Sequence, residues 1–165
     1  MSPPATLPGP RAPGHPITAH AIITDVARRI LILRSASDPD RWQLPGGLVE
    51  ADETPREALR REVAEEIGVE VEVKAAELMS VEWVPARRPG RHDRLALVFT
   101  GPVLTPKAAA SIRLQATEVT DYRWQAPHGA LAHLHPLLAA RIREPLQQPG
   151  STLYRETRIA ERTPE

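Results

Sequence analysis

Three glutamates, Glu62, Glu65 and Glu66, stand three and four residues apart. In a helix, at about 100° per residue, that spacing places all three on one stripe of one surface. Carboxylates so close repel one another, and folding alone does not favour the arrangement. A bound divalent cation is the simplest compensation, since hard ions such as Mg²⁺ take oxygen ligands.

The flanking residues read as the helix that this spacing requires. Thr54 is a hydroxyl N-cap, Pro55 suits the first helical position, Glu57 can close a capping box and Gly68 supplies the stop. Leu59, Val63 and Ile67 recur every four residues beside the acids. One flank is therefore set to pack on a core while the next presents carboxylates to a cleft. Upstream, Pro45, Gly46 and Gly47 follow Trp42 and Leu44. A short apolar strand there ends in a turn whose backbone can approach a ligand closely.

Residues 44–69 resemble the Nudix box, G-x5-E-x7-R-E-U-x-E-E-x-G-U, where U is a bulky aliphatic residue. Gly47, Glu53, Arg61, Glu62, Val63, Glu65, Glu66, Gly68 and Val69 fill its fixed positions. The resemblance implies an α/β/α sandwich around a mixed sheet, and hydrolysis of a diphosphate linkage with Mg²⁺ or Mn²⁺. Water attacks phosphorus slowly because the anhydride is polyanionic, and metals that neutralise its oxygens and acidify a bound water remove both obstacles. Carried over, the resemblance makes Glu62, Glu65 and Glu66 metal ligands, helped by the backbone carbonyl of Gly46. Glu62 would also deprotonate or orient water, while Arg61 and Glu53 pair with and orient the acids. Family members often draw a further acid from the loop before the last strand of the sheet, as metal ligand or base. By position, Glu118 is that residue.

The remaining sequence supplies the scaffold. Residues 17–24 and 30–34 are β-rich runs that suit a hairpin of the central sheet, with His20 in the first as a core or cleft-wall residue. Trp42, just before the glycine turn, is expected to pack beneath it. Strands are expected at 69–73, 78–84, 94–100 and 119–125, with a short helical turn at 108–110. Residues 127–143 read as an amphipathic helix interrupted or started at Pro136, set to cover the sheet face opposite the acidic helix. His133 and His135 lie two apart there and make a poor shared zinc pair, so capping or solvent-facing roles are expected. The loop 85–93 holds Arg87, Arg88, Arg91 and His92. Its arginines suit a distal phosphate or acidic group of a substrate, and Trp83 just before it could stack on a base. Pro85 lies near the place where ADP-ribose pyrophosphatases of the family resemble one another in carrying a proline.

Composition limits the reading. The 165 residues suit one domain at 17–149, between a proline-rich tail at 1–16 and a polar tail at 150–165. Charge is balanced, 21 basic against 21 acidic residues, which favours neither long nucleic acid nor an anionic membrane as partner. No signal peptide or membrane span is legible, and a cytoplasmic location is expected. Cysteine is absent, so disulfides and thiolate sites are excluded. That absence also argues against the prenyl diphosphate isomerases of Nudix-like fold, which resemble one another in a catalytic cysteine. The expected substrate is a small nucleoside diphosphate linked to another group. A prenyl or sugar diphosphate is the alternative, and a non-catalytic nucleotide-binding module the alternative of another class. A homodimer is common among similar proteins.

Overall fold

Alternating burial along the strands sorts the apolar side chains onto two faces of one sheet. The computed structural model describes residues 14–87 and 90–158. In chain order its elements are β1 (Ile17–Asp25), β2 (Ile30–Ser35), β3 (Trp42–Gln43), β4 (Gly46–Leu48), α1 (Pro55–Ile67), β5 (Leu78–Val84), β6 (Arg94–Leu104), α2 (Pro106–Ala110), β7 (Val119–Gln125), α3 (Pro127–His133), α4 (Pro136–Gln147) and β8 (Leu153–Glu156). Ala19, Ala21 and Ile23 of β1 and Leu31 and Leu33 of β2 join a core closed by Leu59, Val63 and Ile67 of α1. Ile22, Ile30 and Ile32 point the other way, into a second core under Ala130, Leu138 and Ile142 of α3 and α4. The result is the expected α/β/α sandwich, with the helices beyond residue 127 on the face opposite α1.

The sheet is mixed. β1 runs parallel to β6, β5 is antiparallel to β6, and β8 is parallel to β5. On its other side β1 meets β2 only at the hairpin, where Thr24 faces Ile30. Beyond that point β2 leaves to pair with β3 and β7, and β4 takes its place beside β1. The sheet thus forks, and residues of β1, β3 and β4 line the cleft at the fork.

Two stretches differ from expectation. Residues 69–73 alternate in burial as a strand would, with Val69, Val71 and Val73 in the α1-side core. They have no partner in the sheet, so burial periodicity is satisfied by an extended strip without a ladder. The polar tail expected from residue 150 instead adds β8 to the sheet. β5 would otherwise be an edge, and Ser80 to Trp83 pair with Leu153 to Glu156. The Thr152 hydroxyl donates to the Leu78 carbonyl at 2.6 Å, and the Thr157 amide to that of Trp83 at 3.0 Å. Among the described residues no helix is long and apolar enough to cross a membrane.

Candidate active site

Helix α1 forms as its sequence dictates. The Thr54 hydroxyl accepts from the Glu57 amide, the Glu57 carboxylate accepts from the Thr54 amide, and Gly68 ends the helix at φ 68°. The loop that carries Glu118 is tied to the end of this helix. The Arg113 amide donates to the Ile67 carbonyl at 2.9 Å, and the Gln115 amide to the Glu66 carbonyl at 3.1 Å. Those bonds bring Glu118 over the acidic stripe. One carboxylate oxygen from each of Glu62, Glu65 and Glu118 lies within 4.8 Å of the others, the kind of oxygen set that suits a divalent ion.

Glu66 takes a different position from its neighbours. Its side chain is buried, and Oε2 accepts the Gly46 amide at 2.9 Å while Oε1 accepts from Gln43 Nε2 at 3.3 Å. Register explains the contact. Ala21 with Pro45, and Ile17 with Val49, are hydrogen-bonded pairs across β1 and β4, so Gly46 falls between bonded pairs. Its amide and carbonyl therefore face away from β1, toward α1. Burial, and then the charges of Glu62 and Glu118, push the Glu66 carboxyl up to about 8 against the opposing Gly46 hydrogen bond.

Arg61 holds the acids around it in place. Nε and Nη2 donate to the two oxygens of Glu53 at 3.1 and 2.7 Å, and Nη1 donates to Glu62 and Glu65, each at 3.1 Å. Glu53, also fed by the Glu50 amide, is held below the usual carboxylate range, Arg61 being the main cause. The Glu62 carboxyl is pushed up, chiefly by desolvation and against the pull of Arg61, with Glu65 and Glu118 adding repulsion. Three acids thus share one guanidinium, and Glu118 has no cation near it among the ion pairs of the described residues. The donor set fits a divalent metal.

Two glycines keep this geometry open. A Cβ on Gly46 would stand 2.2 Å from the Ala19 carbonyl oxygen, at a φ of 124° that side chains rarely adopt. A Cβ on Gly47 would stand 2.4 Å from the Glu62 carboxylate.

The cleft holds about 1240 Å³. Glu62, Glu66 and Glu118 line it on the α1 side, and Arg87 and Arg91 line it on the rim. Arg88 lies outside the described residues. Trp83 is a correction: it does not line the cleft, because alternation along β5 turns it to the face opposite Glu82 and Val84. Its ring instead meets His15 edge-on at 4.9 Å. Trp42 is structural, buried between core residues with the Arg34 and Arg123 guanidinium groups 4.9 and 4.7 Å from its ring centre. His133 Nδ1 lies 2.7 Å from the Gly129 carbonyl, and His135 caps α4 by accepting from the Leu137 amide. Gln43, Arg94 and Arg141 also line the cleft, and sequence reasoning missed them as site residues. Arg141 carried a signal, since it falls on the apolar stripe of α4 between Leu138 and Ile142.

Fold and site together define the class: an α/β/α sandwich that presents helix-borne carboxylates to a cleft at a forked sheet. The chain belongs to the Nudix family, since the model of the NUDIX domain matches residues 14–148. It is 31% identical over 138 residues to a MutT-like protein of Streptomyces ambofaciens, covering 84% of this chain and 81% of that one. An ADP-ribose pyrophosphatase of Methanocaldococcus jannaschii is 33% identical over 109 residues, covering 65% of this chain and 63% of its own. An RNA pyrophosphohydrolase of Nitratiruptor sp. is 32% identical over 102 residues, covering 58% of this chain and 64% of its own. The crystal structure of the MutT protein from Methanosarcina mazei Go1 superposes with a TM-score of 0.66 at 22% identity, over 81% of this chain and 94% of that one.

Proposed function

We propose that this protein hydrolyses the diphosphate linkage of a small metabolite, a nucleoside diphosphate joined to another group, at the cluster of Glu62, Glu65 and Glu118. The observation that carries the reading is their convergence from two separate elements to within 4.8 Å. A binding module would gain nothing from tolerating that repulsion. Relatives named as ADP-ribose pyrophosphatase and RNA pyrophosphohydrolase support the same bond class.

Glu62, Glu65 and Glu118 would hold Mg²⁺ or Mn²⁺, with Glu66 and the outward-facing Gly46 carbonyl beneath them. Bound there, the ion supplies neutralisation of phosphate oxygens and acidification of a water. Glu62, which lines the cleft beside Glu65 and Glu118, would take the proton of the attacking water. Arg61, clamped by Glu53, would hold the Glu62 and Glu65 carboxylates beside one another. Arg87 and Arg91 meet the far part of the substrate. A hydrolysis screen over ADP-ribose, dinucleoside polyphosphates, nucleoside triphosphates, sugar nucleotides and prenyl diphosphates tests the reading. Mg²⁺-dependent release of a monophosphate product from a nucleotide substrate is expected. Turnover confined to prenyl diphosphates would replace the substrate class, and no turnover of any would favour a binding module.

A further inference from the structure

The sheet face beneath α4 changes character along its length. Its middle carries Ile22 and Val98, and the same alternation then brings His20 of β1, Arg94 of β6 and Glu82 of β5 to that face as the strands approach the cleft. Arg141 meets Glu82 from α4. Both side chains are buried, Arg141 Nε donates to one Glu82 oxygen, and the Thr157 hydroxyl donates to the other. Glu82 is thus occupied, and the two Nη groups of Arg141, which lines the cleft, have no acceptor among the described residues.

Arg94 and Arg41 line the same cleft and form no ion pair among the described residues. Desolvation, then Arg141 and Arg41, lower the pKa of Arg94, with Glu82 opposing. His20 lines the cleft and its Nδ1 is buried without a partner. Burial first, then Arg141, Arg41 and Arg94, bring its pKa down to about 3, so the imidazole is neutral. Asp38, in the loop 36–41 between β2 and β3, is an acid on this side, and its Oδ1 accepts the Asp40 amide. Cations so crowded cost folding energy unless an anion comes between them, and an arginine fixed through Nε presents its Nη pair as a ready fork for phosphate.

We infer that Arg141, Arg94 and Arg41, with His20, form a second anion subsite on the α4 side of the cleft, across from the acidic cluster. It takes a phosphate monoester that the substrate carries beyond its scissile diphosphate, an assignment of substrate class that rests on the hydrolase reading above. The preferred metabolite therefore has at least one phosphate that is not cleaved.

Calorimetric titration of the full chain in EDTA, with inorganic phosphate in one arm and acetate in the other, isolates this subsite from the metal-dependent one. Saturable phosphate binding is expected, at least about tenfold tighter than acetate and weakened at least about tenfold in Arg94→Gln and in Arg41→Gln. Each substitution removes one of the crowded cations, so neither should lower the melting temperature, and Glu62→Gln should keep wild-type phosphate affinity. Absence of phosphate binding, or wild-type affinity in both arginine variants, overturns the subsite. Equal affinity for acetate overturns its assignment to phosphate. Hydrolysis that survives while phosphate binding fails sinks the subsite alone, whereas binding that survives without any hydrolysis sinks the functional reading instead.

Discussion

Glu66 is the residue on which the acidic face depends from below. It is buried, bonded to the Gly46 amide, and carries a carboxyl raised to about 8. A carboxyl whose folded pKa lies above its unfolded value binds its proton more tightly in the native state. Its contribution is therefore fully present below the unfolded value of 4.5 and is lost as pH rises through 8. In EDTA, the melting temperature of the wild type should fall between pH 5 and pH 9 by several degrees more than that of Glu66→Gln, on the scale of about 2–4 °C per kcal/mol. Parallel pH curves for the two proteins would show that Glu66 is not held protonated by the fold. Saturating Mg²⁺ should remove the difference if the acidic face binds it, which a scan at pH 8 with and without the ion would reveal.

At the scale of elements, the site is a strand edge, a helix and a loop held at contact distance. Gly47→Ala tests the closest approach. The new Cβ would stand 2.4 Å from the Glu62 carboxylate, so either β4 or Glu62 must shift. Turnover should fall at least about tenfold while the melting temperature changes little, since displacement of a catalytic group costs rate before it costs fold. Unchanged kcat would mean that Glu62 can move aside without consequence. This part of the protein was legible in the chain because its determinants are local. Thr54, Pro55, Glu57 and Gly68 cap α1 within a few residues of one another, and Leu59, Val63 and Ile67 mark its buried flank. The arrival of Glu118 depends instead on backbone bonds from Arg113 and Gln115 to the end of α1, which no local pattern announces. Trp83 was misplaced for the converse reason: its sequence neighbours reach the cleft, but strand alternation sends its own side chain the other way.

Across the whole molecule, α4 is tied to the sheet by a buried ion pair. Arg141 of α4 and Glu82 of β5 lie 59 residues apart, and the Thr157 hydroxyl just beyond β8 completes the set. Glu82→Ala leaves a buried guanidinium without its partner and should cost about 3–5 kcal/mol, read by chemical denaturation. A loss below about 1 kcal/mol would mean that solvent in the cleft already compensates Arg141. The same long-range pairing explains why β8 read as a tail, since Leu153 to Glu156 become a strand only because β5 offers an edge. The cleft that results is electrically divided, with carboxylates on the α1 side and guanidinium groups on the α4 side. Such a division suits a substrate that is itself polyanionic, with its metal-bound diphosphate at one side and its remaining charge at the other.

Metal-dependent diphosphate hydrolysis is assigned to the carboxylates gathered by α1 and the Glu118 loop. Its most direct measurement is product release from the best substrate of the screen, in Mg²⁺, by the wild type and by Glu62→Gln of matched melting temperature. In Glu62→Gln, kcat should fall at least about 100-fold with a smaller change in KM, as loss of a proton-accepting group should give. Turnover by Glu62→Gln equal to that of the wild type would contradict it.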